Sequence, residues 1–134
     1  MKKIFAMMLA LAVVTAAGVA NAATPLVDVA WVKSNLGKPG VVFLDVGGKL
    51  GGKSKANFLR GHIPGAVNLD WLALMDKDND FRLKDLGELE AQLQALGITR
   101  DRTVITHCQT HHRSGLSYLL MKILGYPHIK AYDG

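Results

Sequence analysis

The sequence contains a single cysteine, Cys108, among its 134 residues. An internal disulfide is therefore excluded, and a lone thiol is expected to be either buried or used in chemistry. Aromatic residues are also scarce, at 7% of the chain, and no cluster of Lys and Arg is interleaved with them. Because nucleic-acid-binding surfaces combine basic and aromatic side chains, the composition argues against nucleic acid as a partner.

Long apolar runs are absent except near the start of the chain. Lys2 and Lys3 precede an uncharged stretch from Ile4 to Ala20, and Ala20-Asn21-Ala22 has the pattern of a leader cleavage site. The stretch is Ala-rich and falls short of the roughly 20 strongly apolar residues of a spanning helix, which disfavours an uncleaved anchor. No cysteine follows it to carry a lipid. We therefore predict a signal peptide over residues 1–22, cleavage after Ala22, a periplasmic location and no stable membrane anchoring.

The remaining residues, 23–134, have the length of one small domain, since 134 − 22 = 112 residues. Loss of Lys2 and Lys3 lowers the formal net charge from +5 to +3. A mildly basic chain of this kind suits a small anionic molecule as its partner. Export also means an oxidising compartment, which makes the free thiol of Cys108 the feature to explain.

Apolar patterns alternate between strands and helices along residues 23–134. The strands are predicted at residues 41–46, 66–69, 103–107 and 129–132, and the helices at residues 27–36, 86–96 and 114–124. The alternation predicts an α/β fold: a central, mostly parallel sheet of four to five strands with helices on both faces. The second helix is expected to bury a stripe formed by Leu86, Leu89, Leu93 and Leu96.

The stretch GGKLGGKS, residues 47–54, fits the phosphate-loop pattern G-x-x-x-x-G-K-[ST] and follows a predicted strand. A phosphate loop leads directly into a helix whose N-terminal amides hold the phosphates, but Gly61 and Pro64 leave room for barely two turns. Nucleoside triphosphates are also not expected outside the inner membrane. We predict no nucleotide binding and interpret residues 47–65 as a Gly-rich loop with a flexible insertion.

The segment THCQTHHRSG, residues 106–115, carries the strongest indication of chemistry. Cys108 directly follows a predicted buried strand, at the end where open parallel sheets bind ligands. Arg113 comes after only four intervening residues, so the loop must curl and turn backbone N–H groups inward. These N–H groups, the following helix N-terminus and the guanidinium all favour an anion. Such a setting lowers a cysteine pKa from about 8.5 to roughly 3.5–7.5 and produces a nucleophilic thiolate; the alternative is a small buried residue that ends a strand.

Four segments together resemble the rhodanese-like sulfurtransferases over about residues 26–134: LDV (44–46), GHIPGAVN (61–68), TVITHCQTHHRSG (103–115) and GYPHIKAYDG (125–134). The resemblance implies that Cys108 carries a persulfide cradled by backbone amides and that Arg113 helps to hold an anionic donor. It implies substrate contacts from Gln109, Thr110, His111, His112, Arg113 and Ser114, with Asp45 and Gly115 in support. It implies no metal or organic cofactor.

The reaction implied by the resemblance is a double displacement. The Cys108 thiolate attacks the outer sulfur of a donor such as thiosulfate, and a thiol or cyanide then removes the bound sulfur. Related phosphatases use Cys-x5-Arg, whereas the loop from Cys108 to Arg113 has four intervening residues and suits a single sulfur atom. Phosphatase or arsenate reductase chemistry is therefore disfavoured.

Three histidines near the cysteine raise a different class of function, a non-catalytic sulfur- or soft-metal-binding module: His107, His111 and His112. Adjacent residues of an extended segment point apart, which disfavours joint ligation by His107 and Cys108. We instead interpret His111 and His112 as walls of the donor site. The other two histidines, His62 and His128, are expected to serve local packing or solvent contacts.

Two departures from the family pattern stand out. Gly47 follows Asp45-Val46 where relatives often have an arginine, so an ionic contact from that position is expected to be missing. The sequence stops at Gly134, where relatives usually continue through a Trp-containing stretch, and we therefore expect either a domain truncated at its C-terminus or a sheet with one face that lacks its cover.

Overall fold

The structure is a computed structural model that describes residues 24–48 and 54–134. The predicted leader, residues 1–22, and residues 49–53 of the phosphate-loop-like stretch lie outside the described residues. Export and the boundaries of a single domain at 23–134 therefore stay predictions. Within the described ranges, no helix has the length and apolar character needed to cross a membrane.

The described residues form one five-stranded parallel sheet, one small hairpin and four helices. The strands are β1 (Leu26–Val27), β2 (Val41–Asp45), β3 (Val67–Asn68), β4 (Met75–Asp76), β5 (Arg82–Leu83), β6 (Thr103–His107) and β7 (Ile129–Tyr132). The helices are α1 (Val29–Asn35), α2 (Ser54–Arg60), α3 (Leu86–Ala95) and α4 (His112–Ile123), with a 3-10 turn at Trp71–Leu74. The sheet has the order β1-β7-β6-β2-β3, and β4 and β5 pair separately as an antiparallel hairpin. The predicted α/β fold is confirmed.

Helices cover both faces of the sheet, because alternate residues of the buried strands point to opposite sides. One face joins the sheet to α3 and α4 through a cluster that includes Val42, Leu44, Val104, Leu89, Leu93 and Leu120. The other face joins it to α1 and α2 through Phe43, Ile105, Val32 and Phe58. The sheet is thereby buried on both sides, as its continuous apolar strands require.

The first predicted helix differs from the structure at its start. Val27 belongs to β1, where it pairs with Tyr132 of β7, rather than to a helix. The helix begins only after Asp28, whose Oδ1 accepts a hydrogen bond from the Trp31 backbone N–H at 2.8 Å. Asp28 thus caps the helix, and the two-residue strand before it was missed.

A helix also lies where a loop was predicted. Residues 54–60 form α2, and Ser54 at its start is buried. The Ser54 hydroxyl donates to the Gly47 carbonyl at 2.5 Å and accepts from Asn68 Nδ2 at 3.0 Å. Phe58 lies in one apolar cluster with Val32 of α1 and with Phe43 and Ile105 of the sheet. This short helix has one buried apolar residue and follows a glycine-rich stretch, so its periodicity could not be seen.

Two smaller differences concern the later helices. Leu86 was predicted to lie in the core but is 46% exposed, because it is the first residue of α3 and lies outside the cluster that holds Leu89 and Leu93. Helix α4 begins at His112, two residues before the predicted start. Because of these two residues, the N-terminus of α4 directly adjoins the loop that follows Cys108.

Candidate active site

The sheet register brings polar residues together at the carboxyl ends of the central strands. Asp45 of β2 is paired with His107 of β6 and with Asn68 of β3, and His107 is paired with Tyr132 of β7. Residues paired in a parallel sheet point to the same face, so these side chains form one row. Cys108 comes directly after His107, at the place where ligand sites of open parallel sheets are expected.

The loop after β6 curls around the Cys108 sulfur. The Sγ atom lies 3.4 Å from the Ser114 backbone nitrogen and 3.5 Å from Ser114 Oγ. The backbone N–H groups of Thr110 and Arg113 also act on it, in the direction that lowers the pKa of the thiol. The turn is possible because His111 adopts the left-handed conformation, with φ of 60°. The inward-facing amides predicted from the loop length are thus present around the sulfur.

Two opposing influences set the pKa of Cys108. Burial is the larger single influence and by itself would raise the pKa of the thiol, which is 7% exposed. Hydrogen bonds from the Ser114 hydroxyl and from the backbone N–H groups of Ser114, Thr110 and Arg113 together outweigh burial and hold the pKa below its ordinary value. Because these donors stabilise the charged form, the arrangement favours a thiolate.

Substitution Ser114→Ala removes one of these donors and is expected to raise the pKa of Cys108. Alkylation by iodoacetamide near neutral pH should slow about tenfold, since a hydrogen bond to a charged group contributes roughly 1.5–3 kcal/mol. The rates of variant and wild type should converge at alkaline pH, where both thiols are ionised. The matched control is Ser117→Ala, because Ser117 is equally buried on α4 but donates to the Arg113 carbonyl. An unchanged rate-versus-pH curve for Ser114→Ala would contradict the assignment.

A cationic cleft lies over the loop; we call it the arginine cleft. It has a volume of about 600 Å³ and is lined by Asn57, Arg60, Gly61, Gln109, Thr110 and Arg113. In the part of the chain that the structure describes, neither Arg60 nor Arg113 forms an ion pair with a carboxylate. The Arg113 guanidinium lies 5.9 Å from the centre of the Trp71 ring, on its face. Arg60 and Asn57 belong to the unpredicted helix α2 and its end, so sequence reasoning missed them.

A second, smaller cleft opens on the cysteine itself; we call it the histidine cleft. It has a volume of about 360 Å³, and its lining includes Asp45, His62, His107, Cys108, Gln109 and Tyr132. Gln109 and Gly61 line both clefts and therefore separate them. His62 packs as predicted, with its ring stacked on Phe58 at 3.7 Å, but it also faces this cleft. Sequence reasoning did not foresee the contribution of Tyr132.

His111 and His112 were predicted to line the donor site, and that role stays a prediction. Neither residue lines the arginine cleft or the histidine cleft. His111 is turned toward α4, where its Nδ1 lies 3.1 Å from Ser114 Oγ, and its carbonyl accepts from the Gly115 N–H at 2.8 Å. His112 is exposed at the start of α4. Gly115 supports the loop by this backbone hydrogen bond.

A side chain at position 47 would press against the side chains of Asp45 and Gln109. A Cβ atom placed on Gly47 would lie 2.8 Å from Asp45 Oδ1 and 3.3 Å from the side-chain amide of Gln109. Gln109 therefore occupies the space that a longer side chain at position 47 would need. Asp45 is held in place by the Gly47 N–H, which donates to Oδ1 at 2.7 Å.

The histidines do not assemble into a metal site in the described part of the chain. Over residues 24–48 and 54–134, no three His, Cys, Asp or Glu side chains come together as metal ligands. His111 Nδ1 is directed at the Ser114 hydroxyl instead. The described geometry thus gives no support to the soft-metal alternative.

Comparison with known proteins assigns the family. Residues 28–134 match the family profile described as "Rhodanese-like domain". The chain belongs to the rhodanese-like family. The same fold is found in the crystal structure of SseA from Escherichia coli, described as a 3-mercaptopyruvate sulfotransferase, with a TM-score of 0.72 and 21% identity. That match covers 81% of this chain and 44% of the other chain. The predicted family membership is confirmed.

Curated relatives of this rhodanese-like chain share its sequence over about half of its length. A protein of Azotobacter vinelandii named thiosulfate sulfurtransferase is 54% identical over 74 residues, which are 55% of this chain and 27% of that protein. A protein of Pseudomonas aeruginosa with the same name is 55% identical over 75 residues, with the same two shares. A protein of Thermus thermophilus named sulfur carrier protein TtuD is 44% identical over 75 residues, 55% of this chain and 26% of that protein. The matched region thus spans about a quarter of the length of these relatives.

Proposed function

We propose that this rhodanese-like domain transfers sulfane sulfur from thiosulfate, or a similar anionic donor, to a thiol or cyanide through a persulfide on Cys108. The observation that carries the proposal is the surroundings of the Cys108 sulfur. It lies among backbone N–H donors that hold the pKa of the thiol below its ordinary value. A thiolate is the reactive form of a cysteine nucleophile. The same donors can stabilise the negative charge of a persulfide after the first transfer.

The transfer proceeds in two displacements. The Cys108 thiolate forms a bond to the outer sulfur of thiosulfate, the S–S bond of the donor breaks, and sulfite leaves with the electron pair of that bond. The acceptor then attacks the sulfur bound to Cys108, and the cysteine leaves again as a thiolate. The backbone N–H groups around the sulfur assist both steps, since the Cys108 thiolate is the attacking group in the first step and the leaving group in the second.

The arginine cleft supports an anionic donor. Arg60, at the end of α2, and Arg113, in α4, both line it. Guanidinium groups bind sulfur and phosphorus oxyanions through several N–H donors at once, so two of them without acidic partners favour a doubly charged ligand. The relatives named thiosulfate sulfurtransferase are consistent with such a donor.

The proposal is tested by incubating the protein with thiosulfate and measuring its intact mass. We expect an increase of about 32 Da, one sulfur atom, together with an equal amount of sulfite. Addition of cyanide should return the mass to its starting value and release thiocyanate. A protein that never gains mass, but retains copper or mercury in equal amount through gel filtration, would instead be a soft-metal-binding module.

A further inference from the structure

A row of three side chains borders Cys108, and the sulfur-loading step does not use it. His107 lies between Asp45 and Tyr132 in the register of three adjacent strands, and the three side chains share one face of the sheet. All three line the histidine cleft together with Cys108. A molecule that enters this cleft to reach the sulfur therefore passes the His107 imidazole.

The imidazole of His107 is oriented by its surroundings. Its Nε2 atom lies 3.8 Å from Asp45 Oδ2 and is buried without a hydrogen-bond partner among residues 24–48 and 54–134. The other carboxylate oxygen, Oδ1, already accepts from the Gly47 N–H, which leaves Oδ2 for the histidine. When Nε2 carries the ring proton toward Asp45, Nδ1 holds the lone pair and is the nitrogen that can accept a proton.

We propose that His107 is the general base that removes the proton from a thiol acceptor; this proposal rests on the sulfurtransferase function. The acceptor S–H bond breaks, and its proton moves to His107 Nδ1. The acceptor sulfur forms a bond with the outer sulfur of the Cys108 persulfide. The Sγ–S bond breaks with its electron pair left on Cys108, and the acceptor departs as a persulfide, so no external oxidant or reductant is required.

The charge state of His107 suits this role. Burial lowers its pKa, the Asp45 carboxylate partly offsets that effect, and His62 lowers the pKa further. The imidazole is therefore neutral at neutral pH and can accept a proton, while Asp45 stabilises the imidazolium that forms. The titratable groups that face it are Asp45 from β2, His62 after α2, Tyr132 from β7 and Cys108.

The test compares two acceptors on protein that has first been loaded with sulfur. Wild type and His107→Gln are loaded with thiosulfate, freed of excess donor, and discharged in single turnovers either by free cysteine or by sulfite. The sulfite dianion attacks without losing a proton, so its rate, taken per dianion present, should be the same in both proteins. Discharge by cysteine at pH 7 should slow by about 30-fold in the variant, because only about 3% of a thiol with pKa 8.5 is ionised there. The defect should disappear above about pH 9.

His128→Gln is the matched control, since His128 is exposed and lines neither cleft at Cys108. Asp45→Asn is a second variant that keeps an oxygen for the Gly47 N–H, and it should show a smaller defect that is also confined to thiol acceptors. Normal loading of His107→Gln with an unchanged ratio of cysteine to sulfite rates at pH 7 would overturn the base role alone. Failure of wild type to gain about 32 Da would overturn the sulfurtransferase function and the base role with it.

Discussion

The Cys108→Ser variant should gain no mass on incubation with thiosulfate and should form thiocyanate from cyanide no faster than buffer. Loss of a catalytic nucleophile costs several powers of ten in rate, and here we expect at least roughly a 1000-fold decrease. The physical reason is that a serine hydroxyl stays protonated at neutral pH and cannot hold a sulfur atom as a persulfide. Intact mass spectrometry and a colorimetric thiocyanate assay measure the two results.

The interpretation of this variant is unusually simple, because the chain has no other cysteine that could substitute for Cys108. Serine is slightly smaller than cysteine and can keep the hydrogen bonds to Ser114, so the fold should be retained. Unchanged circular dichroism and an unchanged thermal midpoint would establish this. Thiocyanate production by Cys108→Ser at the wild-type rate would refute the persulfide mechanism.

The second large effect is on stability. Leu44→Ala is expected to lower the free energy of unfolding by about 2–5 kcal/mol, the range for loss of a buried leucine side chain. Leu44 is 0% exposed, and it lies in β2 between β6 and β3 within the cluster that includes Leu89 and Leu93. Urea unfolding followed by circular dichroism gives the difference.

Leu119→Ala is the matched control for the core substitution. Leu119 has the same side chain but is 56% exposed on α4. Its replacement should change the free energy of unfolding by no more than about 0.5 kcal/mol, as is usual for exposed positions. Equal effects of the two substitutions would mean that Leu44 does not lie in the packed core.

The parts of the fold that could be predicted are those with long, regular patterns. Strand β2 is apolar over four of its five residues and β6 has an apolar centre, because both faces are covered, and α3 has leucines at helical spacing. Of the four strands of two residues each, only β3 was predicted, because β1, β4 and β5 are too short to show any period. Helix α2 was concealed because its seven residues follow a glycine-rich stretch and bury only Ser54 and Phe58. Its position depends on hydrogen bonds to distant residues such as Asn68.

The candidate site was predictable where it is local in sequence. The spacing from Cys108 to Arg113 dictates a tight curl, and the structure has inward amides there. The side chains brought by other strands and helices were not predictable in this way, because they depend on strand order and register. Asp45, His107 and Tyr132 each end or nearly end an apolar run, and that shared position was the available signal. Arg60 gave no such signal. The left-handed conformation of His111 was not foreseen either.

The cup around the cysteine sulfur consists largely of main-chain donors, from Thr110, Arg113 and Ser114. Every residue type except proline carries that hydrogen, so the side chains at positions 109, 110 and 112 can change without removing these donors. Selectivity for one partner over another can then evolve, or be redesigned, at Gln109 and Thr110, which line the clefts. The reactivity of the cysteine thus depends on the backbone conformation of the loop, whereas the choice of substrate depends on side chains that can change.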